Sequence, residues 1–419
     1  MMKVGHKAMS GITMAAGSIA SLTAVAMMLQ QAGMDFAGSY SACVLFSAMS
    51  TLIASYKGLP VVLTPSLSVT GYLVFIVAIS HGLGWQTVLG MSFLSSVLGL
   101  LLWQVGGRWS QENLPPVFPW AIKLALAGFL IYLGLKIGRI IITSTWQVTM
   151  LGDSANPLMY WSVAGLVLTL SFIAGNWPQA LLAGMLLTGG VTFAEGFWVI
   201  PAAPFFLPEG LLGAAGQLLL LLDNGMQDSA FYMITVFSLG VMLSAIHWST
   251  VTAFAGQEEA AKKVKMLFAV GAVGAWLGVP PLVVSPTTAA GDRESPTGIF
   301  VTVAILVLAL FCEPVLAAVA DFPAMLVPVL AGSGFLLLLD ALKACPLPAE
   351  GDERQAAVLT TCILVLLLPL TGNFATALGS ALIGYTLFMC MAGKVRQVAK
   401  IIWLISGIFV LYYIYGSIF

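Results

Sequence analysis

Two short segments of this chain repeat each other, and each interrupts a membrane-length apolar run in the same way. Residues 60–66 read PVVLTPS and residues 281–287 read PLVVSPT. Each is Pro, three branched aliphatics, a hydroxyl residue, a second Pro and a second hydroxyl residue. Proline has no amide donor and clashes with the preceding turn, so an ordinary helix cannot run through either segment. At membrane depth, such non-helical backbone is tolerated only where it is buried in protein or lines a polar cavity. A matched pair of interrupted spans, one per half, is the sequence mark of a secondary transporter's substrate site. The two segments are therefore read as one binding site.

The rest of the chain supports a membrane setting. Of its 419 residues, 60% are hydrophobic and 8% charged, with a mean hydropathy of +1.01; soluble domains carry roughly 25% charged residues. The long apolar runs do not alternate as the strands of a transmembrane β-barrel do. No GxxxxGK, HExxH or nucleophile elbow is present, so no enzyme activity is expected. The cysteines, Cys43, Cys312, Cys345, Cys362 and Cys390, show neither metal-ligand nor pairing spacing and read as packing residues. Neither metal, cofactor nor nucleic acid is expected. The first apolar run is long and lacks a convincing cleavage site, so it reads as a span rather than a leader.

Apolar windows fall at about 8–29, 38–56, 59–81, 84–106, 117–138, 158–175 and 178–197. A second group falls at about 229–250, 264–279, 281–296, 297–319, 322–343, 355–371 and 373–392, and a last hydrophobic helix at 397–418. The expected fold is all-α and polytopic, with about 14 spans in two seven-span repeats. The interrupted segment is third in each group. Because seven is odd, the second copy enters from the opposite face, which makes the repeat inverted. Expected boundaries are 1–198 for the first repeat, 199–228 for an outer linker, 229–392 for the second repeat and 393–419 for the C-terminal helix. Lys3, Lys7, Lys57, Arg108, Lys262, Lys263, Lys265, Lys343, Arg354, Lys394, Arg396 and Lys400 share one side, against Lys136 and Arg139 on the other. The positive-inside rule then puts the N-terminus in the cytoplasm, with a bacterial inner membrane as the expected location.

Chemistry at the site follows from half-helices that start after a Pro. Ser66, with Ser68 and Thr70 close behind, opens the first; Thr287 and Thr288 open the second. The first turn of a helix carries unsatisfied amide donors and about half a positive charge, which suits an anion or the carbonyl oxygens of a polar heterocycle. Both roles stay open for these hydroxyls, since Ser and Thr also cap their own helices. The extended stretches 61–64 and 282–285 either pair with each other or offer free backbone groups. His247 lies within membrane depth, where an ionisable group suggests proton transfer, although its position near the cytoplasmic end also fits a solvated side chain. Asp292, in AAGDRESPTG, is a candidate for coupling or for gating the cytoplasmic mouth. Asp340 and Lys343 are spaced for an i,i+3 pair, and Glu195 and Glu313 read as interfacial.

Several stretches resemble the nucleobase:cation symporters of the uracil/xanthine permease superfamily, specifically the azaguanine-type branch of adenine/guanine/hypoxanthine permeases. They are LQQAGMD at 29–35, GLPVVLTPSLSVTGYLVF at 58–75, GWQTVLGMSFLSSVLGLLL at 84–102 and AIKLALAGFLIYLGLK at 121–136. LALFCEPVLAAV at 308–319 and PLTGNFATALGSALIGYTLFMCMAGK at 369–394 continue the likeness. The resemblance implies a core of spans 1–4 and 8–11 and a gate of the remaining spans. It implies substrate held between spans 3 and 10, proton coupling, an elevator-like shift of the core, and pairing of two copies through gate spans. The site diverges from the family pattern. Ser66, Leu67, Ser68, Val69 and Thr70 stand where the family has Gly-Met-Gly-Leu-Asn, and Val25 where it has Asn. Ser244 aligns near the family's eighth-span Asp, one turn before His247, and Thr287 stands at its tenth-span Glu.

The expected function is thus secondary transport of a nucleobase, purine-like or related small polar solute. Ser66, Ser68, Thr70, Ser244, Thr287 and Thr288 would bind it, with His247 or Asp292 coupling a co-transported proton. Two rivals remain at this level. Loss of the acids and the hydroxyl-rich half-helices also fit an anion transporter or exchanger resembling the sulfate permeases. A membrane receptor or scaffold would keep the fold without flux.

Overall fold

Apolar runs without internal breakers become helices because only a helix satisfies every backbone group within one lipid-facing segment. The computed structural model describes residues 2–106, 117–143, 149–177, 179–206, 213–217, 229–252, 257–285, 296–320, 322–343, 346 and 352–416. The first half runs α1 (Met2–Gln31), α2 (Phe36–Tyr56), β1 (Leu63–Pro65), α3 (Leu67–Gly71), α4 (Trp85–Gly106) and α5 (Val117–Ile137). A small hairpin of β2 (Ile141–Ile142) and β3 (Met150–Leu151) follows, then α6 (Pro157–Ala174) and α7 (Ala180–Ala194). The second half runs α8 (Ser229–Val251), α9 (Gln257–Trp276), β4 (Leu282–Val284), α10 (Pro296–Ala309), α11 (Glu313–Ala320) and α12 (Leu326–Lys343). It closes with α13 (Asp352–Thr371), α14 (Phe374–Met391) and α15 (Lys400–Gly416).

Helix starts carry the caps their sequence provides. Asp35 accepts the Gly38 amide at 2.8 Å to start α2, Asn156 that of Leu158 at 3.0 Å before α6, and Asn373 that of Ala375 at 2.9 Å before α14. Among the described residues, ten helical stretches are long and apolar enough to cross a membrane. Shorter apolar helices lie at Leu67–Ile79, Ala180–Ala194 and Lys400–Ile414. The molecule is a multi-pass, all-α membrane protein.

Helix neighbours fall into two bundles. One holds α1, α2, α4, α8, α9 and α10, and the other α5, α6, α7, α12, α13 and α14. Exchanging the halves maps most of this pattern onto itself. The pairings α1–α10, α2–α10 and α1–α2 have mates in α8–α4, α9–α4 and α8–α9. In the second bundle α5–α13 and α13–α14 correspond to α12–α6 and α6–α7, and α5–α12 is its own mate. Between bundles, α5–α8 corresponds to α12–α1, and α1–α7 to α8–α14. Two related units built this way bury most of α1, α2, α5, α12 and α14 and leave most of α6 and α13 on the outside.

One pairing differs from the sequence expectation. Asp340 pairs not with Lys343 but with Lys123 of α5, at 3.7 Å, because α12 lies along α5.

Candidate functional site

The two interrupted segments meet. β1 and β4 form an antiparallel pair in which Leu63 faces Val284, Thr64 faces Val283 and Pro65 faces Leu282. The ladder extends past both ends: the Ser66 amide donates to the Pro281 carbonyl at 2.9 Å, and the Ser285 amide to the Val62 carbonyl at 2.8 Å. Of the two options open in sequence, the extended stretches therefore spend these backbone groups on each other. This answers the membrane constraint, since a lone strand in lipid leaves its polar backbone unsatisfied. The Thr51 hydroxyl of α2 accepts the Leu63 amide at 3.0 Å and fixes β1 to its own bundle. β1 is wholly buried.

The second Pro of the first segment ends the ladder, and Ser66 turns the chain into α3. Its side chain accepts the Val69 amide at 3.4 Å, and its Oγ lies 3.3 Å from Ser68 Oγ. Ser66 thus caps its helix with a long bond that leaves hydroxyl capacity free, and Ser66 and Ser68 form a small buried polar pair beside the crossing. Thr70 Oγ1 is buried and makes no hydrogen bond. Beyond α3 the backbone widens into a π-helical turn, Tyr72–Ala78, then tightens over Ile79–His81. Turns of this kind recur at functional sites. Gly71, just before it, lies against the other bundle: a Cβ there would come 2.6 Å from Leu133 Cδ2 of α5.

The other predicted residues are not seen to join the Ser66–Ser68 pair. Thr287, Thr288 and Asp292 lie outside the described residues, as does most of the linker. Ser244 and His247 sit one turn apart on α8. Ser244 Oγ donates to its own helix, to the Gly240 carbonyl at 2.7 Å. His247 is 2% exposed, so the solvated alternative does not hold. Its ring meets Phe268 of α9 edge-on at 4.9 Å, and its Nδ1 is buried without a hydrogen bond. Packing around it is close, since a Cβ at Gly99 of α4 would fall 2.2 Å from the Phe268 ring. Among the described residues, no group of three or more His, Cys, Asp or Glu side chains could hold a metal.

Sequence reasoning missed Thr51, Tyr72, Thr235 and Phe374. The Tyr72 ring stacks on Phe374 with centroids 4.1 Å apart and planes 6° apart, and its hydroxyl faces that of Thr235. For the two aromatics the sequence signal is place alone: Tyr72 follows the first interruption, and Phe374 lies at the start of the fourteenth apolar window.

No protein-family model matches the chain. It is 26% identical over 406 residues to MJ0326 of Methanocaldococcus jannaschii, a protein named as a permease, across 93% of this chain and 90% of that one. To the guanine/hypoxanthine permease PbuO of Bacillus subtilis it is 24% identical over 400 residues, across 90% and 89%. To the adenine permease AdeQ of Escherichia coli it is 21% identical over 382 residues, across 88% and 83%. Among solved structures, SLC26A9 matches with a TM-score of 0.59 at 9% identity, over 92% of this chain and 65% of that one. The transmembrane domain of the cyanobacterial bicarbonate transporter BicA matches with a TM-score of 0.57 at 13% identity, over 89% and 97%. The structural likeness shows a shared fold, and along nearly its whole length the sequence is similar to curated permeases, among them guanine/hypoxanthine and adenine permeases.

Proposed function

We propose that this protein is a secondary transporter for a nucleobase or similarly flat, polar solute, bound where the two interrupted spans cross. The observation that carries the reading is the buried β1–β4 pair with the buried hydroxyls of Ser66 and Ser68 beside it, in a chain similar over its length to purine permeases. Backbone pairing holds the two interrupted segments together, and in this reading the hydroxyls of Ser66, Ser68, Thr70, Thr287 and Thr288 replace acids as partners for the solute's ring edge. Hydroxyls donate and accept, so they serve both N–H and carbonyl positions. Transport proceeds by movement of the α1–α4 and α8–α10 bundle against the other. Asp292 carries the coupled proton, because His247 is enclosed by α4, α8 and α9 within one bundle. The protein sits in a bacterial inner membrane with its N-terminus inside, pairing with a second copy through gate helices.

The test is a thermal-shift screen of purified protein against purines, pyrimidines and small anions. A ligand that binds only the folded state at a hundredfold excess over Kd stabilises it by about 2.7 kcal/mol. Hypoxanthine, guanine or adenine is expected to raise the melting temperature, and Ser68→Ala or Thr287→Ala to weaken that ligand about tenfold. Helix starts without acids favour a second reading, an anion carrier. A shift with sulfate or bicarbonate and none with nucleobases would establish it in place of the first.

A further inference from the structure

The aromatic stack beyond α3 has an unusual rim. Tyr72, Thr70 and Thr235 are all fully buried; the Tyr72 and Thr235 hydroxyls face each other without reaching good hydrogen-bond geometry, and Thr70 Oγ1 has no partner. Buried hydroxyls are seldom left so. Elsewhere in this protein, helical threonines donate to the carbonyl one turn back, as Thr23, Thr169 and Thr188 do at 2.7–2.9 Å. Thr70 and Thr235 do not, although both lie in helical backbone. The stack also joins the two bundles: Tyr72 belongs to the interrupted third span, whereas Phe374 starts α14 and meets Phe129 of α5 edge-on at 5.7 Å. Along the chain it lies one to two turns beyond Ser66, toward the end of the span where His81 stacks on Phe231 at 4.5 Å.

Resting on the nucleobase reading above, we infer that Tyr72, Thr235 and Phe374 form a second docking subsite for the planar solute, outside the β1–β4 crossing. Two parallel rings 4.1 Å apart have the spacing of aromatic stacking. A flat heterocycle that takes the place of the Tyr72 ring against Phe374 keeps this stacking. The amide edge of the incoming ring then takes the place of the Tyr72 hydroxyl opposite Thr235, with better-aligned donors and acceptors, and the displaced Tyr72 hydroxyl becomes free to pair with it. An aliphatic or tetrahedral solute offers neither contact. The subsite therefore selects for flat rings before the solute reaches Ser66 and Ser68.

The experiment is equilibrium binding of radiolabelled hypoxanthine to the full-length purified protein, with Thr235→Val and Tyr72→Phe as variants. Each removes one hydroxyl and keeps the shape. The expected result is affinity weakened about five- to tenfold in each, with the melting temperature of the unliganded protein unchanged and Thr235→Ser restoring binding. Wild-type preference for hypoxanthine over unsubstituted purine is expected to shrink in Thr235→Val. Wild-type affinity and preference in both variants would overturn the subsite and leave the central site standing. Failure of the wild type to bind any nucleobase would overturn both.

Discussion

His247 is the only described histidine inside a span and away from its end, and a pH-coupled role is the first reading such a residue attracts. Its surroundings argue otherwise. The imidazole lies edge-on to Phe268, with Gly99 leaving room for that ring, and the helices around it belong to one bundle. A group whose neighbours travel with it gains no new partner during transport, whereas a coupling group needs a different environment in each state. The proposed coupling residue, Asp292, follows the second interrupted segment in sequence instead. In proteoliposomes, Asp292→Asn is expected to abolish stimulation of uptake by an inward proton gradient while solute exchange continues. His247→Leu is expected to lower thermal stability and leave the stimulation intact. Loss of stimulation in His247→Leu, with exchange preserved, would return the coupling role to the histidine.

At the scale of elements, the interrupted third span does three jobs in about twenty residues. Its strand closes the crossing, its short helix presents hydroxyls, and its π-helical turn passes the other bundle. One close approach is at Gly71, where even a methyl group would press on Leu133 of α5. Gly71→Ala is therefore expected to slow uptake at least several-fold, while binding in detergent stays within about twofold of wild type. Equal loss of binding and uptake would show that Gly71 shapes the site rather than the sliding surface. The interruption itself was legible in PVVLTPS and PLVVSPT, because two prolines dictate where a helix must stop. That the two segments pair was one of two open alternatives. The π-helical turn was not legible, because Tyr72 and Phe374 lie about 300 residues apart in sequence and no local periodicity records their stack. Nor was the Lys123–Asp340 pair, for the same reason: spacing suggested Lys343, and packing of α12 along α5 supplied Lys123.

For the molecule as a whole, the symmetry of the packing bears most directly on mechanism. Pairings within each bundle outnumber the joins between them, and the joins α5–α8, α12–α1, α1–α7 and α8–α14 come in mates related by exchange of the halves. A boundary of that kind can shift as a unit without remodelling either bundle, since close-packed interiors resist continuous deformation. Span order was readable from hydropathy and charge, but which spans group together was implied only by the family resemblance. Side chains also bridge the boundary: the Gln179 amide, before α7, donates to the Thr13 hydroxyl of α1 at 3.5 Å. In a protein stripped of its native cysteines, joining Thr13→Cys to Gln179→Cys with a short bis-maleimide is expected to stop uptake while binding persists. The same reagent across Lys123→Cys and Asp340→Cys, both within the second bundle, is expected to leave uptake near its uncrosslinked rate. If the first link leaves transport running, the bundles do not slide along this boundary, and local movement of the half-helices must carry the solute instead.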